Sequence, residues 1–226
     1  PSLVGSEMCI RDRSITPDAF DSFVVNDENQ FVRKTITYSP ALYKIFDELV
    51  VNAADHVIRM TTSDLPDKNL VKNIKINVDR ENGTVSVYND GDGISIEIHE
   101  ETKLYNPSLI FGELLTSGNY DKTKVRLTGG LNGLGAKLAI IFSTEATVET
   151  VDHRNKKIFK QTFRDNLATK NKPSIRQSTK SPYTEIKCKI DLARFGATTI
   201  TDDIFALFKK RTYEIAALTP PNVNVY

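Results

Sequence analysis

Two short alternating runs joined by a turn place the strongest limit on the fold. Apolar and polar residues alternate over residues 74–78 and 85–87, and the five residues 79–83 between them read Asp-Arg-Glu-Asn-Gly. A period of two predicts strands that are buried on one face, and a short spacer ending in Gly predicts a β-hairpin. Hairpin-joined strands are antiparallel, which argues against the doubly wound parallel sheets that bind many nucleotides.

The rest of the chain predicts helices around such a sheet. Ser39 and Pro40 are typical of a helix N-cap and first helical position, and the apolar spacing that follows predicts a helix over residues 40–59. We expect shorter helices from Pro107 toward Leu115 and from Gly133 to Phe142, a last helix over 202–218, strands over 146–152, 156–162 and 184–190, and polar loops over 116–130 and 166–181. Together these elements predict an α+β two-layer sandwich, with a mixed, mostly antiparallel sheet and helices on one face.

Composition narrows the class of protein. The 226 residues, 39% of them hydrophobic, are enough for one generous domain. A net charge of +1 gives no global attraction to nucleic acid or membrane, and no apolar stretch is long enough to span a bilayer. Residues 1–13 have no helical or strand period and resemble a translated sequencing adapter, so we expect them to be non-native and the domain to occupy 14–226. Of the two cysteines, Cys188 lies in an alternating run and is expected in a strand core.

The predicted long helix carries a polar face. Glu48, Asn52 and Asp55 are spaced i, i+4 and i+7, so they share one side of the helix beside its apolar stripe. By itself this pattern also fits the solvated edge of an ordinary amphipathic helix.

A second candidate group follows the predicted hairpin. Val85, Val87 and Asn89 are two residues apart, so they lie on the same face of the predicted strand. The amide of Asn89 is therefore expected on the buried side, where a polar group needs hydrogen-bond partners. Gly91 and Gly93 follow, and glycines allow a backbone to approach a ligand closely. A plain turn remains the alternative, because Asn-Asp-Gly is turn chemistry, and the two aspartates do not match a calcium loop.

The glycine-rich run over residues 128–138 is the most specific of the three motifs. It has four glycines in seven positions and leads into a predicted helix, a combination that presents backbone N–H groups to an anion such as phosphate. Its lysine spacing is not that of a P-loop, and its glycine spacing is not that of a dinucleotide-binding fingerprint. A mobile glycine-rich loop without a ligand remains possible at this point.

The three motifs in this order resemble the GHKL ATPases, whose domain is called the Bergerat fold. The blocks over residues 43–55, 110–120 and 128–137 are similar to those of the eukaryotic type II DNA topoisomerases, and the resemblance extends over residues 31–226. It implies ATP and Mg²⁺ as cofactors, ATP hydrolysis that drives a DNA-passing clamp, a homodimeric parent protein that binds DNA through other domains, and a nuclear location.

The resemblance also implies roles for matching residues. Glu48 and Lys137 correspond to catalytic residues, with Glu48 as the base that activates water, and Asn52 corresponds to the Mg²⁺ ligand. The remaining positions correspond to the ATP-binding set: Asn89, Gly91, Gly93, Ile94, Ile110, Phe111, Ser117, Gly118, Asn119, Gly130, Leu131, Asn132, Gly133, Leu134, Gly135, Ala136, Lys137 and Thr184. Within that set, Asn89 would read the adenine amino group and Thr184 would support the base.

Departures from the family pattern leave alternatives open. Leu131 stands where relatives often have Arg, and His56 stands where they usually have Asn and is expected to face solvent. The family's transducer domain, with its phosphate-contacting lysine, would follow residue 226, so we expect ATP binding with weak or no turnover. A gyrase-B-like, mismatch-repair or chaperone ATPase, a non-hydrolysing nucleotide clamp, and a DNA-binding module using the basic runs at 156–160 and 209–211 are the other candidates.

Overall fold

The computed structural model describes residues 15, 17–26, 28–113 and 135–226. Four helices are described: α1 (Pro40–Thr62), α2 (Asn106–Gly112), α3 (Gly135–Ile141) and α4 (Asp202–Leu218). The strands are β1 (Asp18–Val25), β2 (Phe31–Tyr38), β3 (Asn73–Asp79), β4 (Thr84–Asp90), β5 (Ser143–Asp152), β6 (Lys157–Arg164), β7 (Thr169–Lys170), β8 (Ser174–Gln177), β9 (Tyr183–Ile190) and β10 (Asn224–Val225), with a short 3₁₀ turn at Leu192–Phe195.

The main sheet has the strand order β10-β3-β4-β9-β5-β6-β7, and β8 also pairs with β6. Its pairs are antiparallel except the short parallel pair of β10 with β3. The predicted hairpin is present as β3 and β4. The predicted fold class, a mixed and mostly antiparallel sheet with flanking helices, is confirmed.

Helix α1 packs its apolar stripe into the core beside α4. Ser39 caps α1 by accepting from the backbone N–H of Leu42 at 3.4 Å, as the sequence predicts. The rings of Phe46 on α1 and Phe208 on α4 are stacked with centroids 3.9 Å apart. Because both rings are almost fully buried, they bind the two helices together, and burial of this size stabilises each ring by roughly 2–3 kcal/mol.

Two features differ from the sequence-based expectations. A separate two-stranded sheet, β1 paired with β2, packs on α4 through Val24, Ile36 and Leu207, although the sequence indicated no hairpin there. Residues 166–181 were expected to be loop, but they include β7 and β8 at the edge of the main sheet. Strands at the edge of a sheet are more exposed than central strands, so fewer of their residues need to be apolar and the alternation in their sequence is weak.

Candidate functional site

Three polar side chains form a row across the helix-covered face of the sheet. Asn89 in β4 lies directly opposite Thr184 in β9, and Thr184 lies directly opposite Thr150 in β5. Directly opposed residues in antiparallel strands project to the same face. Asn89 is buried, as its period of two predicts, and Thr150 is fully buried.

The amide of Asn89 has a defined direction. Its Nδ2 donates to the carbonyl oxygen of Asp90 at 2.7 Å, so the amide nitrogen is engaged by the protein's own backbone. An amide group has a separate acceptor in its oxygen. The Oδ1 atom is therefore the part of Asn89 suited to receive a hydrogen bond from a ligand.

The loop after β4 follows a path that only glycine allows. Gly91 and Gly93 have φ values of 113° and 73°. A Cβ on Gly91 would lie 2.7 Å from Nε2 of His56, and a Cβ on Gly93 would overlap the backbone carbonyl of Val151 in β5. Both glycines are thus required by the protein's own packing, in addition to any room they leave for a ligand.

Buried acceptors hold the same loop in place from β5. Thr150 Oγ1 accepts from the backbone N–H of Ile94 at 3.0 Å, and Asp152 Oδ2 accepts from that of Ile96 at 2.7 Å. Burial raises the pKa of Asp152, but hydrogen bonds from Ile96, Asn155 and the backbone outweigh it, so the net pKa lies below its usual value. Sequence reasoning missed Thr150 and Asp152, because their partners are 56 residues away along the chain.

The two aspartates of the loop are also structural acceptors. Asp90 Oδ1 accepts from the backbone of Lys72 and Asn73, and Asp92 Oδ1 accepts from the backbone of Asn69 at 2.7 Å. Among the described residues, no group of three or more His, Cys, Asp or Glu side chains is arranged to hold a metal ion.

A chain of alternating charges leads to Glu48. Lys44 Nζ lies 2.8 Å from Glu48 Oε1 and 2.8 Å from Asp47 Oδ2, and Asp47 Oδ1 accepts from Arg211 Nε of α4 at 2.7 Å. Burial lowers the pKa of Lys44, but hydrogen bonds to Asp47 and Glu48 outweigh it, so the net pKa is raised. Lys44 therefore stays cationic and holds the Glu48 carboxylate in one position.

Helix α3 brings the end of the glycine-rich run against this carboxylate. A Cβ on Gly135 would overlap Oε2 of Glu48 and lie 2.6 Å from its Cδ. Asn52, one turn further along α1, donates from Nδ2 to the Glu48 carbonyl oxygen at 2.6 Å and is exposed. The amide oxygen of Asn52 is the remaining group on this side chain that suits a hard cation.

The other described candidates have different environments. Lys137 lies in the first turn of α3 and is 2% exposed, and burial lowers its pKa while the charge of Glu113 opposes the shift. Ile110 is 41% exposed, whereas its neighbour Phe111 lies in the core, and Ile94 is half-buried above β5. Eight candidates lie outside the described residues: Ser117, Gly118, Asn119, Gly130, Leu131, Asn132, Gly133 and Leu134.

The expectation that His56 faces solvent is wrong. His56 is 6% exposed, and its Nδ1 accepts from Arg59 at 2.5 Å, so Nε2 carries the ring hydrogen. Burial, assisted by Arg59 and opposed by Asp92 and Asp90, lowers the pKa of His56 to about 4. The position falls on the apolar stripe of α1, since Ala53, His56 and Met60 follow at helical spacing, and this spacing was the signal that could have revealed it.

The basic run at 209–211, and Lys160 of the other run, bind other parts of the same chain. Lys209 donates to the carbonyl oxygen of Asn26, Lys210 donates to Ser22, and Arg211 pairs with Asp47. Lys160 pairs with Glu149 across β5 and β6. These cations connect elements of the fold, which weakens the alternative of a DNA-binding module. No described helix is both long and apolar enough to cross a membrane.

Comparison with known proteins places these features in a family. Residues 37–192 match the family of histidine kinase-, DNA gyrase B- and HSP90-like ATPases. The chain is 46% identical over 207 residues to DNA topoisomerase 2 of Acanthamoeba polyphaga mimivirus, covering 92% of this chain and 16% of that protein. It is 49% identical over 183 residues to DNA topoisomerase 2 of Penicillium chrysogenum, covering 81% of this chain and 11% of that protein. The chain thus spans a small part of the length of these curated relatives.

Solved structures agree with the sequence matches. The ATPase region of Saccharomyces cerevisiae topoisomerase II superposes with a TM-score of 0.88 at 37% identity, covering 98% of this chain and 58% of that one. The ATPase and transducer domains of DNA topoisomerase II from Balamuthia mandrillaris superpose with a TM-score of 0.87 at 36% identity, covering 100% of this chain and 58% of that one. The fold is therefore that of a topoisomerase II ATPase region.

Proposed function

Because the chain belongs to the family of histidine kinase-, DNA gyrase B- and HSP90-like ATPases, we propose that it is the ATP-binding and ATP-hydrolysing part of a type II DNA topoisomerase. The observation that carries this proposal is the contact of Gly135 with Glu48. It brings the end of a glycine-rich, phosphate-binding run to a carboxylate that can act as a base.

The polar row is proposed to bind the adenine base. Asn89 accepts from the exocyclic amino group through Oδ1, and Thr184 supports the base from the neighbouring strand. Ile94, Ile110 and Phe111 provide apolar surface beside it, and Gly91 and Gly93 form the edge of the pocket. A mostly apolar site with a few directed polar groups is typical of small-molecule binding.

The phosphate end is proposed to lie between α1 and α3. Glu48, held by Lys44, accepts a proton from the attacking water, and Lys137 with the backbone of Gly135 and Ala136 stabilises phosphate charge. Asn52 fits Mg²⁺, which takes one or two protein oxygens and completes its shell with phosphates and water. The bound Mg²⁺ would neutralise charge on the phosphate oxygens.

The wider role is proposed from the relatives. ATP binding would close a homodimeric clamp in the parent protein, whose other domains bind DNA and pass one duplex through another. The proposed location is the nucleus, where such DNA would be found.

Binding of a non-hydrolysable ATP analogue tests the proposal. We expect Mg²⁺-dependent binding by the wild type, loss of binding in Asn89→Ala, and retained binding in Glu48→Ala, because Glu48 acts on water and not on the base. Thermal unfolding of each variant checks that the chain is folded. Equal binding by the wild type and both variants would mean that the nucleotide site lies elsewhere.

A further inference from the structure

Thr150 is the buried centre of a small hydroxyl network under the proposed base site. Its Oγ1 lies 3.0 Å from the backbone nitrogen of Ile94, 2.9 Å from the carbonyl oxygen of Tyr183 and 3.0 Å from Oγ1 of Thr184. Its side chain is fully buried, so these protein groups set the direction of every hydrogen bond that it makes.

The direction of the bond between the two threonines follows from counting hydrogens. A hydroxyl has one hydrogen to donate and two lone pairs to accept with. The Tyr183 carbonyl can only accept, so it receives the Thr150 hydrogen, and the Ile94 N–H donates to Thr150. By distance alone either hydroxyl could donate in the remaining contact, and the arrangement that makes all three contacts hydrogen bonds takes its hydrogen from Thr184.

This direction leaves Thr184 as an acceptor toward a ligand. Its only hydroxyl hydrogen is directed to Thr150, so its oxygen offers lone pairs to the half-buried side of the site. Asn89, directly opposite in β4, also offers an oxygen, because its Nδ2 is bound to Asp90. Two neighbouring acceptors favour a donor group between them, such as an amino group, and disfavour a carbonyl.

We propose that Thr150 is a specificity-determining positioning residue. By taking the hydroxyl hydrogen of Thr184, it makes the site prefer a purine with an exocyclic amino group over one with a carbonyl at the same place. This inference rests on the proposed function, because it requires that the row of Asn89, Thr184 and Thr150 lies at the base.

The ratio of two affinities tests the inference. The dissociation constants of a non-hydrolysable ATP analogue and of the matching GTP analogue are measured with Mg²⁺ on the 226-residue chain. In Thr150→Val, the hydroxyl of Thr184 is free to rotate and donate, so we expect the preference for ATP to fall by about tenfold, the effect of about one hydrogen bond. Thr150→Ser keeps the hydroxyl and should restore the preference.

Two controls separate this effect from general weakening. Thr147→Val removes a hydroxyl from the same strand on the opposite face, where it contacts Thr162, and should leave the ratio unchanged. In a Thr184→Val background, adding Thr150→Val should not change the ratio further, because the proposed effect acts through Thr184. If Thr150→Val does not fold, Thr150→Cys, with its weakly hydrogen-bonding thiol, takes its place.

Each outcome has a distinct meaning. A wild type that binds neither analogue overturns the proposed function, and the role of Thr150 with it. A wild type that binds the ATP analogue, with the same ratio in Thr150→Val, overturns the role of Thr150 alone. A fall in the ratio that persists in the Thr184→Val background also overturns it, since the effect would then bypass Thr184.

Discussion

The α-carbon of Gly135 lies against the carboxylate of Glu48, so that a methyl group at position 135 would overlap Oε2 and lie 2.6 Å from Cδ. The contact joins α1, which carries the proposed base, to α3, which carries the end of the proposed phosphate-binding run. A larger residue at position 135 would therefore require the Glu48 side chain or helix α3 to move.

Gly135→Ala is therefore expected to destabilise the chain by about 1–3 kcal/mol, the usual cost of overpacking. Truncating Glu48 to alanine removes the clashing atoms, so in a Glu48→Ala background the same substitution should cost less. Urea unfolding of the two single variants and the double variant measures this coupling. Gly196→Ala is a control, since no atom lies within 4 Å of its added Cβ and only its positive φ opposes alanine. Additive free energies for the 48/135 pair would contradict the contact.

Lys44 is expected to contribute more to the free energy of unfolding than a lysine in an exposed ion pair. Lys44→Met leaves the half-buried carboxylates of Glu48 and Asp47 without their shared cation, so we expect a loss of about 1–2 kcal/mol in the free energy of unfolding. Lys44→Arg should recover part of it. Lys34→Met breaks a pair whose lysine is 52% exposed and should cost less than about 1 kcal/mol. Equal losses in the two methionine variants would argue against the charge chain.

His56 predicts a loss of stability on acidification. Its pKa is about 4 in the folded chain and 6.5 as an ordinary value, so the unfolded chain binds the extra proton first as the pH falls. The stability that depends on neutral His56 is fully present above about pH 6.5. Between about pH 6.5 and 4 the free energy of unfolding falls by on the order of 3 kcal/mol because of this residue.

Urea unfolding at several pH values in this window tests the role of His56. We expect His56→Asn to have a flatter dependence of unfolding free energy on pH, whatever its absolute stability. His153→Asn is the matched control, because it removes an imidazole that is only half-buried. A slope in His56→Asn equal to that of the wild type would show that His56 does not titrate in this way.

Turnover by residues 14–226 is expected to be weak or absent, although ATP binds. This expectation rests on the resemblance to the GHKL ATPases, which implies a phosphate-contacting lysine in a transducer domain outside residues 14–226. Phosphate release under single-turnover conditions, with protein in excess over ATP, is the measurement. Robust hydrolysis that is abolished by Glu48→Gln would contradict this prediction while supporting the role of Glu48.

Elements whose signals are local were predicted well. The last helix was predicted over about residues 202–218, and its observed bounds are Asp202–Leu218, with Thr201 as its N-cap. The β3–β4 hairpin and β9 follow from alternation and turn residues in the same way. The β1–β2 hairpin was missed because its residues are largely exposed, so they show little apolar alternation. Each of the two strands is held mainly by its pairing with the other.

The sequence by itself determined the spacing of Glu48 and Asn52 on α1, the inward direction of Asn89 and the order of the three motifs. Periodicity specifies which face of a helix or strand a residue occupies, and the order of the motifs is read directly from the chain. Only the tertiary structure decided that Thr150 supports Ile94, that Gly91 covers His56 and that Arg211 reaches Asp47. Those contacts join elements 35 to 164 residues apart, and their geometry comes from strand register and helix packing, which no local pattern encodes.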